Sequence, residues 1–112
     1  MVEAVELSVD GAPATPEDVA SVALVNYGAY TSFRVGQGGV RGLDLHLARL
    51  EAEAVELFSE PVGEERLRDL MRMAVAGRDA CWLRVSLFSP EISPRTPDWR
   101  GAPKVQIGRA HV

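Results

Sequence analysis

Residues 81–88 constrain the fold of this chain more than any other stretch. Every second side chain from Cys81 to Leu87 is apolar, and the side chains between them include Trp82 and Arg84. Because successive side chains of a β-strand point to opposite faces of a sheet, the pattern predicts a strand with one wholly apolar face. A face of this kind has to be buried under another layer of secondary structure.

Two amphipathic helices, predicted over residues 43–58 and 64–76, provide the covering layer. Apolar residues recur at steps of four and three from Leu43 to Leu57, which is typical of a helix with one buried stripe. A second stripe follows and ends at Gly77, since glycine often comes directly after the last turn of a helix. The sequence therefore predicts an α+β domain in which a small antiparallel sheet has two main helices packed on one face.

Shorter elements are predicted near the two ends of the chain. Residues 5–9 alternate before an Asp-Gly turn and predict a strand, and residues 104–106 begin a last strand after a proline-rich loop. Thr15 suits a helix N-cap and Pro16 suits the first helical position, with acidic residues following in the first turn. A short helix is therefore predicted after the first strand.

Another alternating stretch, residues 29–35, predicts a strand with one polar face. Tyr30 and Arg34 lie on that face, which is polar enough to line a cavity. The glycine-rich residues 36–39 end the strand, and we expect a return strand to begin at Val40.

Composition places the chain among single-domain globular proteins. It has 112 residues, of which 46% are hydrophobic and 25% charged. A net charge of -4 and the lack of a dense Lys/Arg run argue against nucleic acid and anionic membranes as partners. With Cys81 as the single cysteine and two distant histidines, neither a disulfide nor a metal site is expected. No secretion signal or membrane-spanning run is recognisable in the sequence, which favours the cytoplasm.

The last six residues, 107–112, resemble the translation of a common short-read sequencing adapter, ATC GGA AGA GCA CAC GTC, whose next codon is a stop. On this interpretation the native sequence was cut near Val105. Residues 1–106 then form an incomplete domain, followed by an adapter-derived artefact. Arg109 and His111 would not belong to the native protein.

Four residues are candidates for binding an anion. His46 and Arg49 are three apart on a predicted helix, so they are neighbours, and an arginine there can present its planar guanidinium to a phosphate or carboxylate. Arg34 and Arg84 lie in the middle of predicted strands, where a charged group usually faces a cavity, a partner or water. A solvated helix face and an exposed sheet face are the alternatives, and spacing alone leaves them open.

Three segments, taken in order, resemble a known family. Residues 26–35 read Asn-Tyr-Gly-Ala-Tyr-Thr-Ser-Phe-Arg-Val, and after a glycine-rich hairpin residues 43–50 read Leu-Asp-Leu-His-Leu-Ala-Arg-Leu. This H-x-x-R-L element after a G-x-aromatic strand is similar to the N-terminal domain of class IV (fold type IV) pyridoxal-phosphate enzymes. The family includes branched-chain aminotransferases, D-amino acid aminotransferases and aminodeoxychorismate lyases. The resemblance runs from about Leu7 to Val105.

The resemblance implies roles for individual residues. Arg49 matches the arginine that grips the phosphate of the cofactor, pyridoxal 5'-phosphate. Tyr30 matches an aromatic residue that lines the substrate pocket, and Arg34 matches a basic residue near it. Arg84 matches the position from which some members recognise a substrate carboxylate, often across a dimer interface. Because only a short hairpin joins the strand to the helix, we expect His46 and Arg49 to converge with Tyr30 and Arg34.

The resemblance also implies a function. The parent protein would be a cytoplasmic, homodimeric, pyridoxal-phosphate-dependent aminotransferase acting on an amino acid and a 2-oxo acid, with an aminodeoxychorismate lyase-like enzyme as the alternative. The family's Schiff-base lysine lies in a larger C-terminal domain, beyond residue 112, and Lys104 does not replace it. The chain alone is therefore expected to be inactive. Most members carry an acidic residue where this chain has Thr31, which leaves the substrate class open. A catalytically empty dimerising or ligand-binding module is the alternative from another class.

Overall fold

A five-stranded antiparallel sheet forms the centre of the computed structural model. The strands are β1 (Glu6–Val9), β2 (Ala12–Pro13), β3 (Ala29–Val35), β4 (Cys81–Phe88) and β5 (Lys104–Ala110). Their order across the sheet is β2-β1-β5-β4-β3, so β3 is an edge strand. The structure describes residues 6–25, 27–78, 80–92, 95–96 and 98–110. Val5, Asn26 and His111 of the sequence analysis lie outside the described residues.

Two helices, α2 (Leu43–Phe58) and α3 (Glu64–Val75), cover one face of the sheet, while α1 (Pro16–Val25) does not belong to this layer. Their buried side chains are Leu47, Leu50, Ala54, Phe58, Leu67, Leu70 and Met71. Beneath them lies the apolar face of β4, whose side chains from Cys81 to Leu87 on that side are at most 2% exposed. The predicted α+β architecture, with two main helices packed on one face of a small antiparallel sheet, is confirmed.

A reciprocal cap begins α1. The backbone N–H of Asp18 donates to Thr15 Oγ1 at 3.1 Å, and the backbone N–H of Thr15 donates to Asp18 Oδ2 at 3.2 Å. These two bonds confirm Thr15 as the N-cap. No residue of α1 is buried. Its Val22 and Ala23 border a crevice on the face of the sheet that α2 and α3 leave open.

The return strand predicted from Val40 is wrong. Gly36 and Gly39 exchange two backbone hydrogen bonds of 3.1 and 3.0 Å, and no strand continues this isolated bridge in the described residues around it. Val40 packs against the core instead, and Gly42, with a positive φ of 68°, directs the chain into α2. The chain leaves the sheet here because α2 has to start above the covered face.

Polar contacts hold α2 and α3 side by side. The Glu51 carboxylate accepts two backbone N–H groups in the loop before α3, each at 2.9 Å. Arg68 of α3 donates to Asp44 of α2 and to Glu64, both at 2.8 Å. The hydrogen bond with Glu64 raises the pKa of Arg68 above its ordinary value, so its guanidinium stays charged.

The last strand, β5, is longer than the sequence predicted and runs to Ala110, within the adapter-like end. Ile107 is 2% exposed and joins the core. Arg109 forms an ion pair with Glu6 and donates to the carbonyl of Ala74 at 2.7 Å. In this chain the adapter-like residues therefore complete the pairing of β5 with β1 and β4.

Candidate functional site

The face of the sheet opposite α2 and α3 carries three of the predicted site residues. We call it the open face. The strand register aligns its side chains in three rows: Tyr30–Ser86–Gln106, Ser32–Arg84–Gly108 and Arg34–Trp82–Ala110. No acidic residue occupies these positions, whereas two of them are arginines. These nine positions therefore carry a net positive charge.

Tyr30 and Arg84 are in direct contact on the open face. The guanidinium carbon of Arg84 lies 3.9 Å from the centre of the Tyr30 ring, which is a cation–π arrangement. Tyr30 is 54% exposed, and Arg84 makes no hydrogen bond or ion pair with the described residues. The ring thus fixes the position of the guanidinium while leaving its N–H groups available to a ligand.

Arg34 lies on the same face, one row further along. It is exposed, it pairs with Trp82 across the two strands, and Arg84 is its diagonal neighbour. Among the described residues it has neither a hydrogen bond nor an ion pair. The structure therefore places Arg34 beside the Tyr30–Arg84 pair without joining it to them.

Arg49 reaches the site from α2, around the edge of the sheet. Its Nη2 donates to the backbone carbonyl of Tyr30 at 3.2 Å. This carbonyl is open to Arg49 because β3 is the edge strand and has no further strand beyond it. Tyr30 consequently has Arg49 on its backbone side and Arg84 over its ring, and the structure brings these three predicted residues together.

His46 takes a different position from the predicted one. Its Nδ1 lies 2.6 Å from the hydroxyl oxygen of Thr31, and its ring centre lies 5.0 Å from that of Phe33. Both partners point to the covered face of the sheet, so His46 does not converge with Arg34 or with the side chain of Tyr30. Thr31, at 2% exposure, does not reach the open face either.

Gly28, the glycine of the G-x-aromatic element, shapes the site although the sequence analysis assigned it no structural role. A Cβ atom at this position would lie 2.1 Å from the carbonyl oxygen of Leu87. Only glycine allows the chain to pass so close to β4 before it enters β3. A glycine directly before an alternating stretch was the available signal.

Gln106 and Ser86 are further residues that spacing did not reveal. They line a crevice of about 390 Å³ between α1 and the open face, together with Leu7, Val22, Ala23, Arg84 and Gly108. Gln106 is 8% exposed, and its Oε1 accepts no hydrogen bond from the described residues. A polar residue between Val105 and Ile107 was the sequence signal. Gly108 belongs to the adapter-like end, and Gln106 directly precedes it.

Membrane-spanning helices and metal-binding clusters are both absent from the described part of the chain. No helix there is long and apolar enough to cross a membrane. No group of three His, Cys, Asp or Glu side chains there is arranged to hold a metal ion.

The α+β fold assembled from these elements is one that solved aminotransferases share, a fold IV transaminase among them. A hypothetical aminotransferase from Mycobacterium tuberculosis matches with a TM-score of 0.59 and 19% identity in its apo form, and with 0.60 and 20% in its PLP-bound form. Each match covers 97% of this chain and 40% of that protein. A fold IV-transaminase from Curtobacterium pusillum matches with a TM-score of 0.57 and 18% identity, over 95% of this chain and 42% of its own.

This chain thus spans about two fifths of the length of the aminotransferases whose fold it shares. No family model matches the sequence, and no curated protein matches it. The likeness at these identities is one of fold.

Proposed function

We propose that this chain is the N-terminal part of a pyridoxal-phosphate-dependent class IV aminotransferase that acts on an amino acid and a 2-oxo acid. The shared fold and the partial coverage of longer aminotransferases support this proposal. So does the PLP-bound form of the Mycobacterium tuberculosis protein, which has the same fold. The full-length protein would be a cytoplasmic homodimer.

The observation that carries the proposal is the arrangement of Arg49, Tyr30 and Arg84. Two guanidinium groups flank one tyrosine, and neither is paired with a carboxylate of the described residues. The reaction involves a phosphate on the cofactor and a carboxylate on the substrate. Guanidinium groups are the side chains best suited to both, because their parallel N–H groups match two oxygens at once.

The residues present fit the cofactor in their chemistry. Arg49 would hold the phosphate, since it is exposed and its single bond to the Tyr30 carbonyl leaves other N–H groups to donate. Arg84 would bind the carboxylate of the substrate, with Arg34 as a second positive charge. Tyr30 would form the wall between them. The bound cofactor supplies an electron sink at the reacting carbon, and these residues bind and orient.

The covalent chemistry needs a lysine that this chain does not supply. Its single lysine, Lys104, begins β5 opposite Phe88, and β5 is separated from β3, the strand of Tyr30, by β4. We infer that the lysine lies in the missing larger domain and that the 112-residue chain is inactive by itself. In the same interpretation residues 107–112 derive from a sequencing adapter.

Recovering the gene beyond codon 105 tests this function. We expect a second domain with a lysine placed to bind the cofactor, and an expressed full-length protein that retains pyridoxal phosphate through dialysis. Arg49→Ala should weaken retention of the cofactor about 10- to 100-fold, since a hydrogen bond to a charged group contributes about 1.5–3 kcal/mol. Arg84→Ala should alter substrate preference and leave the cofactor in place.

Arg41→Ala is the matched control, because Arg41 is also exposed and lies just before α2. It should bind the cofactor as the unmodified protein does, measured by absorbance after dialysis. Equal retention in the Arg49→Ala protein would remove Arg49 from its assigned role. If the gene continues without a second domain that carries this lysine, the proposed aminotransferase function is refuted.

A further inference from the structure

Two adjacent residues of the edge strand β3 are held by two residues of α2. Arg49 donates to the carbonyl of Tyr30 at 3.2 Å, and Nδ1 of His46 lies 2.6 Å from Oγ1 of Thr31. His46 and Arg49 are three apart, so they leave the helix on the same side, about one turn from each other. The first half of α2 is therefore attached to β3 at two successive points.

These two attachments differ in their exposure to water. Thr31 is 2% exposed and His46 is half-buried, with its ring against Phe33. The Arg49 contact is exposed. A sheltered hydrogen bond competes with less water than an exposed one, and a long exposed side chain loses conformational entropy when it is fixed. The Thr31–His46 bond is thus the firmer attachment. Arg49 donates to the backbone of β3, whose position this firmer bond holds.

The chemistry of Thr31 also matters for Arg49. A hydroxyl either donates to the imidazole nitrogen or accepts from it, so it forms the bond without carrying charge. Thr31 therefore attaches the helix to the strand through a neutral hydrogen bond.

We propose that Thr31 and His46 are a positioning pair for Arg49. Their hydrogen bond fixes the start of α2 against the edge of β3 and so holds the guanidinium where it binds a phosphate group. The identity of that phosphate as part of the cofactor rests on the proposed function. The positioning of Arg49 itself does not, and it is measurable in the 112-residue chain.

The test uses NMR on the 112-residue chain with inorganic phosphate as the probe, at constant ionic strength. The side-chain Nε–H signal of Arg49 is assigned by its loss in Arg49→Ala, and its relaxation reports how rigidly the guanidinium is held. Thr31→Val keeps the shape of the side chain and removes the hydroxyl. We expect Thr31→Val to increase the mobility of the Arg49 guanidinium and to weaken phosphate binding about fivefold, which corresponds to the loss of one typical hydrogen bond. Thr31→Ser should restore both.

His46→Phe is a second, independent variant, because its ring keeps the packing against Phe33 but has no nitrogen. It should behave as Thr31→Val does. Thermal unfolding of each variant establishes that the chain is folded, and rescue by Thr31→Ser separates the hydroxyl bond from mere packing.

The outcomes separate this inference from the proposed function. An Arg49 signal and a phosphate affinity that are unchanged in Thr31→Val and His46→Phe would overturn the positioning pair. If Arg49 becomes more mobile as expected but its signal never responds to phosphate, the positioning pair is supported and the phosphate role of Arg49 is overturned. Higher mobility of the Arg49 guanidinium together with weaker phosphate binding, with both effects reversed in Thr31→Ser, would support the two proposals.

Discussion

Replacing Gln106 by leucine is expected to stabilise this chain. The Gln106 side chain is 8% exposed, and its amide makes no hydrogen bond with the described residues. Its neighbours in β5, Val105 and Ile107, are almost completely buried. The leucine side chain is one bond shorter but branched and of comparable bulk, so it fills most of the same space and removes the acceptor that has no partner among the described residues.

The magnitude follows from the burial of that acceptor. A buried polar group without a partner costs about 1–3 kcal/mol of stability. Because Gln106 lines the crevice between α1 and the open face, where water reaches polar groups, we take the lower end of this range, about 1 kcal/mol, as the gain for Gln106→Leu. In a domain of about 100 residues, 1 kcal/mol shifts Tm by about 4–8 °C. We therefore expect Tm of the Gln106→Leu chain to rise by at least about 4 °C.

Urea unfolding followed by tryptophan fluorescence measures the change in the free energy of unfolding, and a thermal melt gives Tm. An unchanged m value indicates that only stability has changed. Gln37→Leu is the matched control, since Gln37 is exposed in the glycine-rich turn, and it should change stability by less than about 0.5 kcal/mol. A midpoint for Gln106→Leu that is equal to or below that of the unmodified chain would refute the reasoning.

Three further substitutions test the fold and the site. Gly28→Ala should cost at least about 3 kcal/mol or prevent folding, because the new Cβ would meet a backbone carbonyl of β4 at 2.1 Å, whereas Gly38→Ala, in open space, should melt like the unmodified chain in circular dichroism. Glu51→Gln replaces one of the two carboxylate oxygens that accept the N–H groups before α3 by an amide NH2 group, and it should lower the urea-derived free energy of unfolding by about 1–3 kcal/mol. An unchanged value would show that water satisfies these N–H groups. Tyr30→Leu should remove the ring-current shift of the Arg84 Nε–H signal in NMR, and Tyr30→Phe should keep it, unless the contact on the open face does not form in solution.

The local elements of the fold could be predicted because their patterns are periodic. The alternation that ends at Leu87 and the stripe that begins at Leu43 identify a strand and a helix from neighbouring residues alone. The cap at Thr15 is equally local, since its partner Asp18 is three residues away. The prediction of a strand from Val40 was wrong. A glycine turn is typical of a hairpin, but here the packing of Val40 against the core determines the path of the chain.

The candidate site divides in the same way. Its residue types, above all Arg49 and Tyr30 in their order along the chain, were recognisable in the sequence. The contact between them was not, because it involves a backbone carbonyl that is available only at the sheet edge. The position of His46 was also missed, since its distance in sequence from Thr31 says nothing about the face on which the two meet.

The sequence by itself determined which segments form strands and helices, which side of each is apolar, and which cations are available for an anion. The tertiary structure alone decided that Arg84 lies over the Tyr30 ring, that Thr31 holds His46 and that Gln106 Oε1 accepts no hydrogen bond from the described residues. Secondary structure follows from residues three or four apart, which interact in any chain that carries the pattern. Strand order and register depend on residues far apart in the sequence, such as Asp10 and Val105, which are 95 positions apart, and only the packed core fixes which of them meet.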